Sequence, residues 1–206
     1  MIVAFCLNAQ ENTKAREILE QVSKKTRSFN NISAQFVFTM ENKEMDIHEK
    51  NEGAIKIEGE KYVVDLPAIG VRVISDGSTV WNYMEDGNQV TISDQEDQDS
   101  ELMDPSSIFS IYEKGFKSKL AREKKEGNKI LYQIEMYPGK KEHDISKIVL
   151  YIDKANMMID SADFYGTDGN LYGIEVKSME TNLNLPDSFF VFNASEYSDL
   201  EVIDFR

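Results

Sequence analysis

The sequence predicts a mainly β protein, built on a strongly curved antiparallel sheet or incomplete β-barrel and closed by an N-terminal helix and a short lid helix. Three observations carry this. Short segments with apolar residues at every second position recur from residue 32 onward, separated by Gly and Asp-Gly turn signals. One stretch near the start repeats its apolar residues at helical spacing. A second, much shorter apolar stretch, DPSSIFSIYEKG, has a helix start and stop marked at its ends.

Taken in order, MIVAFCLNA ends in a small residue before Gln10 and reads as a truncated signal peptide over residues 1–9, with Met1 an internal methionine of a longer start. Cys6, the sole cysteine, has Phe5 before it where a lipid-modified cysteine needs a small residue, so it is a passenger in that segment. A chain processed there has no thiol, which suits an oxidising periplasm. Residues 10–206 are expected to form a single domain. From Asn12 to Lys25, Ala15, Ile18, Leu19 and Val22 define one buried helical face, with Asn12 or Thr13 as cap.

The period then changes to two. Ala34, Phe36, Phe38 and Met40 share one side of a strand. The alternation returns in Ile55 and Ile57, in Tyr62, Val64 and Leu66, in Val71 and Val73, in Trp81 and Tyr83, and in Val90 and Ile92. Gly53, Gly59, Gly70, Asp76-Gly77 and Asp86-Gly87 supply the turns of a meander. After an acidic break, Asp104 caps a helix of two to three turns that Pro105 opens and Gly115 ends. Its residues Ile108, Phe109, Ile111 and Tyr112 form a compact apolar stripe that a helix so short must press on something else. Strands are again expected over 116–122, 129–137, 146–152, 157–165 and 171–179.

The net charge of −14 repels a phosphate backbone and disfavours both nucleic acid and anionic lipid surfaces as partners. No run approaches the roughly 18 apolar residues of a spanning helix. His48 and His143 are the only histidines, and without ligand-spaced Cys or His no transition-metal site is expected. G-x-S-x-G and phosphate-cradling glycine loops are absent, and Asp163, Asp168 and Asn170 lack the twelve-residue calcium pattern. The acids sit in turns or on polar strand faces, so no catalytic residue, no cofactor and no enzymatic activity are expected.

The succession FNNISAQFVF, then VISDGSTVWNY, then a polar break with a short apolar helix, then ADFYGTDGNLYGIEVKSMETNLNLPDSFFVF resembles the periplasmic outer-membrane lipoprotein carriers, the LolA family. The sharpest segments are Ser75–Tyr83 and Leu183–Phe192. The resemblance implies an open antiparallel barrel around a hydrophobic cavity that carries the acyl chains of lipoproteins, without cofactor, as a monomer between an inner-membrane releasing complex and an outer-membrane acceptor. It implies Phe36, Phe38, Met40, Ile55, Ile57, Tyr62, Val64, Val73, Trp81 and Tyr83 as cavity wall, and Ile108, Phe109, Ile111 and Tyr112 as lid. In the family an Arg-Pro pair ties the lid shut; the matching strand here reads GEKYVVDL, with Lys61, and Arg72 is the next arginine along. Lysine lacks the bidentate fork, so the latch does not carry over. Two other readings remain open: a carrier or sensor of free lipid or glycolipid, and an interaction domain whose core is filled.

Overall fold

The computed structural model describes residues 3–97, 116–139 and 144–206. The expected lid helix, with Ile108, Phe109, Ile111 and Tyr112, lies outside the described residues. Helix α1 runs Val3–Thr26. It begins well before the expected Asn12, because the run Val3–Leu7 contains neither Gly nor Pro to stop a helix. Ala15, Ile18, Leu19 and Val22 are all buried, as their spacing requires. Lys24 and Lys25 in the last turn complement the helix dipole, and the Lys25 ammonium donates to the Asn156 carbonyl.

Among the described residues twelve strands follow: β1 Ile32–Asn42, β2 Ile47–Glu58, β3 Lys61–Leu66, β4 Val71–Ser75, β5 Thr79–Met84, β6 Gln89–Asp94, β7 Phe116–Glu126, β8 Lys129–Pro138, β9 Ile145–Asp153, β10 Met158–Gly166, β11 Leu171–Thr181 and β12 Glu201–Asp204. They make one sheet in the order β12-β6-β5-β4-β3-β2-β1-β11-β10-β9-β8-β7, which does not return on itself. The barrel is therefore incomplete, as expected. The β12–β6 pair is parallel, whereas the neighbouring meander and the β7–β11 pairs are antiparallel. β12 has no tight turn to announce it, and the expected meander contained no such strand. β2 also starts earlier than Ile55, since IHEKNEG gives a strand without apolar alternation.

Chain contacts divide into two compact units. The first comprises Met1–Ser28, Val37–Lys50 and Phe109–Val176. Here α1 lies along β7 and β10, with the Lys14 ammonium 6.0 Å from the centre of the Tyr132 ring. Register puts Tyr132, Ile134 and Met136 of β8 beside Ile152, Leu150 and Ile148 of β9, and these in turn beside Ile159, Ala162 and Phe164 of β10. All nine are buried and form the core under the helix.

The second unit comprises Phe29–Phe36, Asn51–Ile108 and Lys177–Arg206. Its meander is punctuated as the sequence indicates. The Asp76 carboxylate accepts from the amides of Ser78 and Thr79 at 2.9 and 2.8 Å, and Gly77 takes φ 95° where a side chain would be strained. The chain after β11 returns over this unit. Asn31 holds it at the start, donating to the Leu183 carbonyl and accepting from the Leu183 amide, each at 2.8 Å.

Candidate functional site

The hairpin registers of the second unit decide which side chains share a wall. Opposed residues of an antiparallel pair point to the same face. Ile57 pairs with Tyr62, Tyr62 with Ser75, and Ser75 with Val80, giving one transverse row. Ile55, Val64, Val73 and Asn82 form the next row on that face. Phe36 joins them from β1: a Cβ added to Gly53 would lie 2.6 Å from Phe36 Cζ and 2.8 Å from Leu66 Cδ2. Glycine at 53 is what lets the phenyl ring lie against the strand.

Trp81 and Tyr83 stand on the other face. Their row partners are Ile74 and Ile92 for Trp81, and Arg72 and Val90 for Tyr83. Against this face lies the returning C-terminal segment, in a cluster of Val63, Ile74, Val90, Phe190 and Phe192 with Trp81, Tyr83, Leu185, Phe189, Tyr197 and Leu200. The Tyr83 ring sits 4.6 Å from that of Tyr197 and 5.9 Å from that of Phe192. The expected single wall is thus two walls back to back. The meander is apolar on both sides, so choosing the apolar parity of each strand separately mixes them. Trp81 and Tyr83 do share a face, but the chain itself covers it. Sequence reasoning put Leu66 on the face of Tyr62 and Val64 without naming it as wall, and missed Val80 on the first face and Phe189, Phe190 and Tyr197 on the second. Hairpin register, which pairs Val80 with Ser75, was the signal for Val80.

On the first face burial separates core from accessible wall. Tyr62, Ser75 and Val80 are 1, 0 and 0% exposed and Ile57 and Val64 are buried, while Phe36, Ile55, Leu66 and Val73 are half-buried. The Ser75 hydroxyl donates to Gln95 Oε1, so the row carries no orphan hydroxyl there. A ligand can meet the half-buried group, which presents only hydrocarbon. This is a wall suited to an alkyl chain and empty of acid, base or nucleophile.

Phe38 and Met40 belong to the first unit. Phe38 stacks on Tyr172 with ring centres 6.2 Å apart, and Met40 is half-buried. The opposite, helix-free side of that unit has a cleft of about 310 Å³ lined by groups such as Thr39, Lys124, Tyr151, Asp163 and Glu175. Burial pushes the Asp163 carboxyl up, with the Tyr151 hydroxyl opposing the shift. So polar a lining is unsuited to acyl chains.

Neither Lys61, in the strand that matches the family's latch, nor Arg72, the next arginine along, reaches the first face. Lys61 is opposite Glu58 and donates to Asp187 Oδ1 at 2.8 Å, and this pairing raises the Lys61 ammonium pKa and lowers that of the Asp187 carboxyl. Arg72 lies 3.2 Å from Asp65 Oδ1 on the Tyr83 side. Asp168 and Asn170 are engaged in their own turn, the Asn170 amide donating to Asp168 Oδ1 at 2.9 Å, and Asn42 donates to Asn170. No helix among the described residues is long and apolar enough to cross a membrane.

Solved structures of several proteins share this fold at low identity. An uncharacterized conserved protein from Thermus thermophilus is 16% identical with TM-score 0.58, covering 93% of this chain and 99% of that one. A DUF1329 family protein from Desulfovibrio piger is 13% identical with TM-score 0.54, covering 91% and 99%. LprF from Mycobacterium bovis is 12% identical with TM-score 0.51, covering 84% and 95%. No curated protein matches the chain. The model of the outer membrane lipoprotein carrier protein LolA matches residues 27–193, from just after α1 through Asn193, leaving β12 beyond it. With that match spanning most of its length and the open twelve-stranded sheet behind it, the chain belongs to the LolA family.

Proposed function

We propose that the protein is a periplasmic carrier that binds the acyl chains of lipoproteins and moves them from the inner to the outer membrane. The observation that supports this is the half-buried hydrocarbon wall of Phe36, Ile55, Leu66 and Val73 beside the buried Ile57–Val80 row, in a chain of the lipoprotein-carrier family. Each CH₂ group moved from hydrocarbon into water costs about 0.8 kcal/mol, so an acylated cargo needs such a surface to cross an aqueous compartment. The carrier needs no cofactor and no covalent step; its partners are an inner-membrane releasing complex and an outer-membrane acceptor.

A second reading, a carrier of free lipid or glycolipid, is favoured by one observation: Lys61 and Arg72 are engaged with Asp187 and Asp65, away from the wall. Organic extraction of protein purified from its native periplasm, followed by mass spectrometry, separates the two. Lipopeptides bearing acylated cysteine are expected. Free lipid alone would favour the second reading, and absence of any lipid would favour an interaction domain with a filled core.

A further inference from the structure

The first unit ends in a strand whose charge runs against that of the whole molecule. β7 is the last strand of the sheet and, among the described residues, pairs only with β8. Between Phe116 and Lys129 the chain has basic residues at 117, 119, 122, 124, 125 and 129 and acids only at 123 and 126, within a protein of net charge −14.

A register shift between Leu120 and Arg122 arranges these charges. Lys117 and Lys119 oppose Tyr137 and Glu135, and after the shift Arg122 and Lys124 oppose Gln133 and Leu131. Those β8 partners alternate, so all four basic residues stand on one face. Without the bulge Lys117 and Lys119 would face opposite to Arg122 and Lys124.

The neighbouring acids are already met. Glu123 is bound by Lys154 at 2.9 Å, Glu126 by Lys124 at 2.8 Å and Asp160 by Lys129 at 2.6 Å, while Glu135 accepts from the Tyr137 hydroxyl at 2.9 Å. Lys117, Arg122 and Lys125 are exposed, and Arg122 Nε donates to the neutral Gln133 at 2.8 Å. At the ends of β8 two apolar side chains stand out of the surface on either side of this edge: Tyr137, opposite Lys117 on the face of the four cations, is 41% exposed, and Ile130, opposite Lys125 on the other face, is 45% exposed.

We infer that the β7 edge docks on an anionic lipid surface. Lysine blunting of an edge strand explains charge there, but it does not call for exposed Ile130 and Tyr137 flanking the cations. Cations flanked by a tyrosine and an aliphatic are the composition that meets lipid headgroups, and this favours a bilayer over an acidic protein. At about 0.1 M salt the Debye length is about 10 Å, so the patch acts locally while the distant acids that give the molecule its sign are screened. The inference extends the carrier reading by giving the protein a way to approach a membrane.

Sedimentation with phosphatidylethanolamine–phosphatidylglycerol vesicles, against pure phosphatidylcholine vesicles, tests it at about 0.1 M salt. The full chain is expected to co-sediment with the former only. Combined Lys117→Gln, Arg122→Gln and Lys125→Gln substitution is expected to weaken binding about a hundredfold, at about tenfold or less per cation. All three residues are exposed, so an unchanged denaturation midpoint confirms that the variant folds. Failure to bind, equal binding to both vesicles, or wild-type binding by the triple variant would overturn the inference. Uptake of a fluorescent fatty acid without vesicles is measured in parallel; if it persists while vesicles go unbound, the docking surface fails and the carrier reading stands.

Discussion

Gly53 shows how one residue positions the candidate wall. It is buried on β2, and a Cβ there would come within 2.9 Å of the Asp65 carbonyl as well as the Phe36 ring. The ring could turn aside, but the carbonyl belongs to the β3 backbone and cannot. Gly53→Ala is therefore expected to cost about 1–3 kcal/mol, the usual range for overpacking, and to displace Phe36 from the strand. A denaturant midpoint equal to that of wild type would show that the site has slack. Sequence placed Gly53 at a break between strands, whereas it lies inside β2; a glycine required by an approaching ring looks the same in sequence as a turn glycine.

At the scale of elements, the amphipathic helix and the meander were legible because their periods are imposed by burial. Ala15, Ile18, Leu19 and Val22 met no competing pattern. The strand faces were less legible: Val73 and Ile74 are both apolar and adjacent, so only pairing with Asn82 and Trp81 assigns each to its side. The C-terminal segment was illegible in a different way, since its placement rests on contacts with β3–β6 that no local period encodes. Its Phe190 and Phe192 bury against Val63, Ile74 and Val90, and the Lys56 ammonium lies 4.7 Å from the Phe189 ring centre.

The Lys61–Asp187 pair ties that segment to β3 on the surface. Its aspartate has a depressed folded-state pKa, so the stabilisation is present above the ordinary value near 3.9 and is lost as pH falls through the folded value. Asp187→Asn should accordingly be less stable than wild type at pH 7, by a small margin because both groups are exposed, and the gap should close on acidification below about pH 4. Chemical denaturation followed by emission from Trp81, the sole tryptophan, reads the gap at each pH. A difference that stays constant from neutral to acid pH would show that the ion pair contributes nothing to holding the segment.

For the whole molecule, a meander apolar on both faces has to cover one and expose the other if it is to carry hydrocarbon. The C-terminal return covers the Trp81–Tyr83 side, leaving Phe36, Ile55, Leu66 and Val73 as the accessible apolar wall. Fluorescent fatty-acid uptake by purified protein tests this division most directly, comparing wild type with Val73→Glu and Trp81→Ala. Wild type and Trp81→Ala should take up the probe alike, the latter with a stability loss of about 2–4 kcal/mol for a half-buried indole. Val73→Glu should fold and lose uptake at least tenfold, since a carboxylate on the wall would have to be desolvated by the chain. Uptake unchanged in Val73→Glu but abolished in a folded Trp81→Ala would place the lipid on the opposite face and contradict the account.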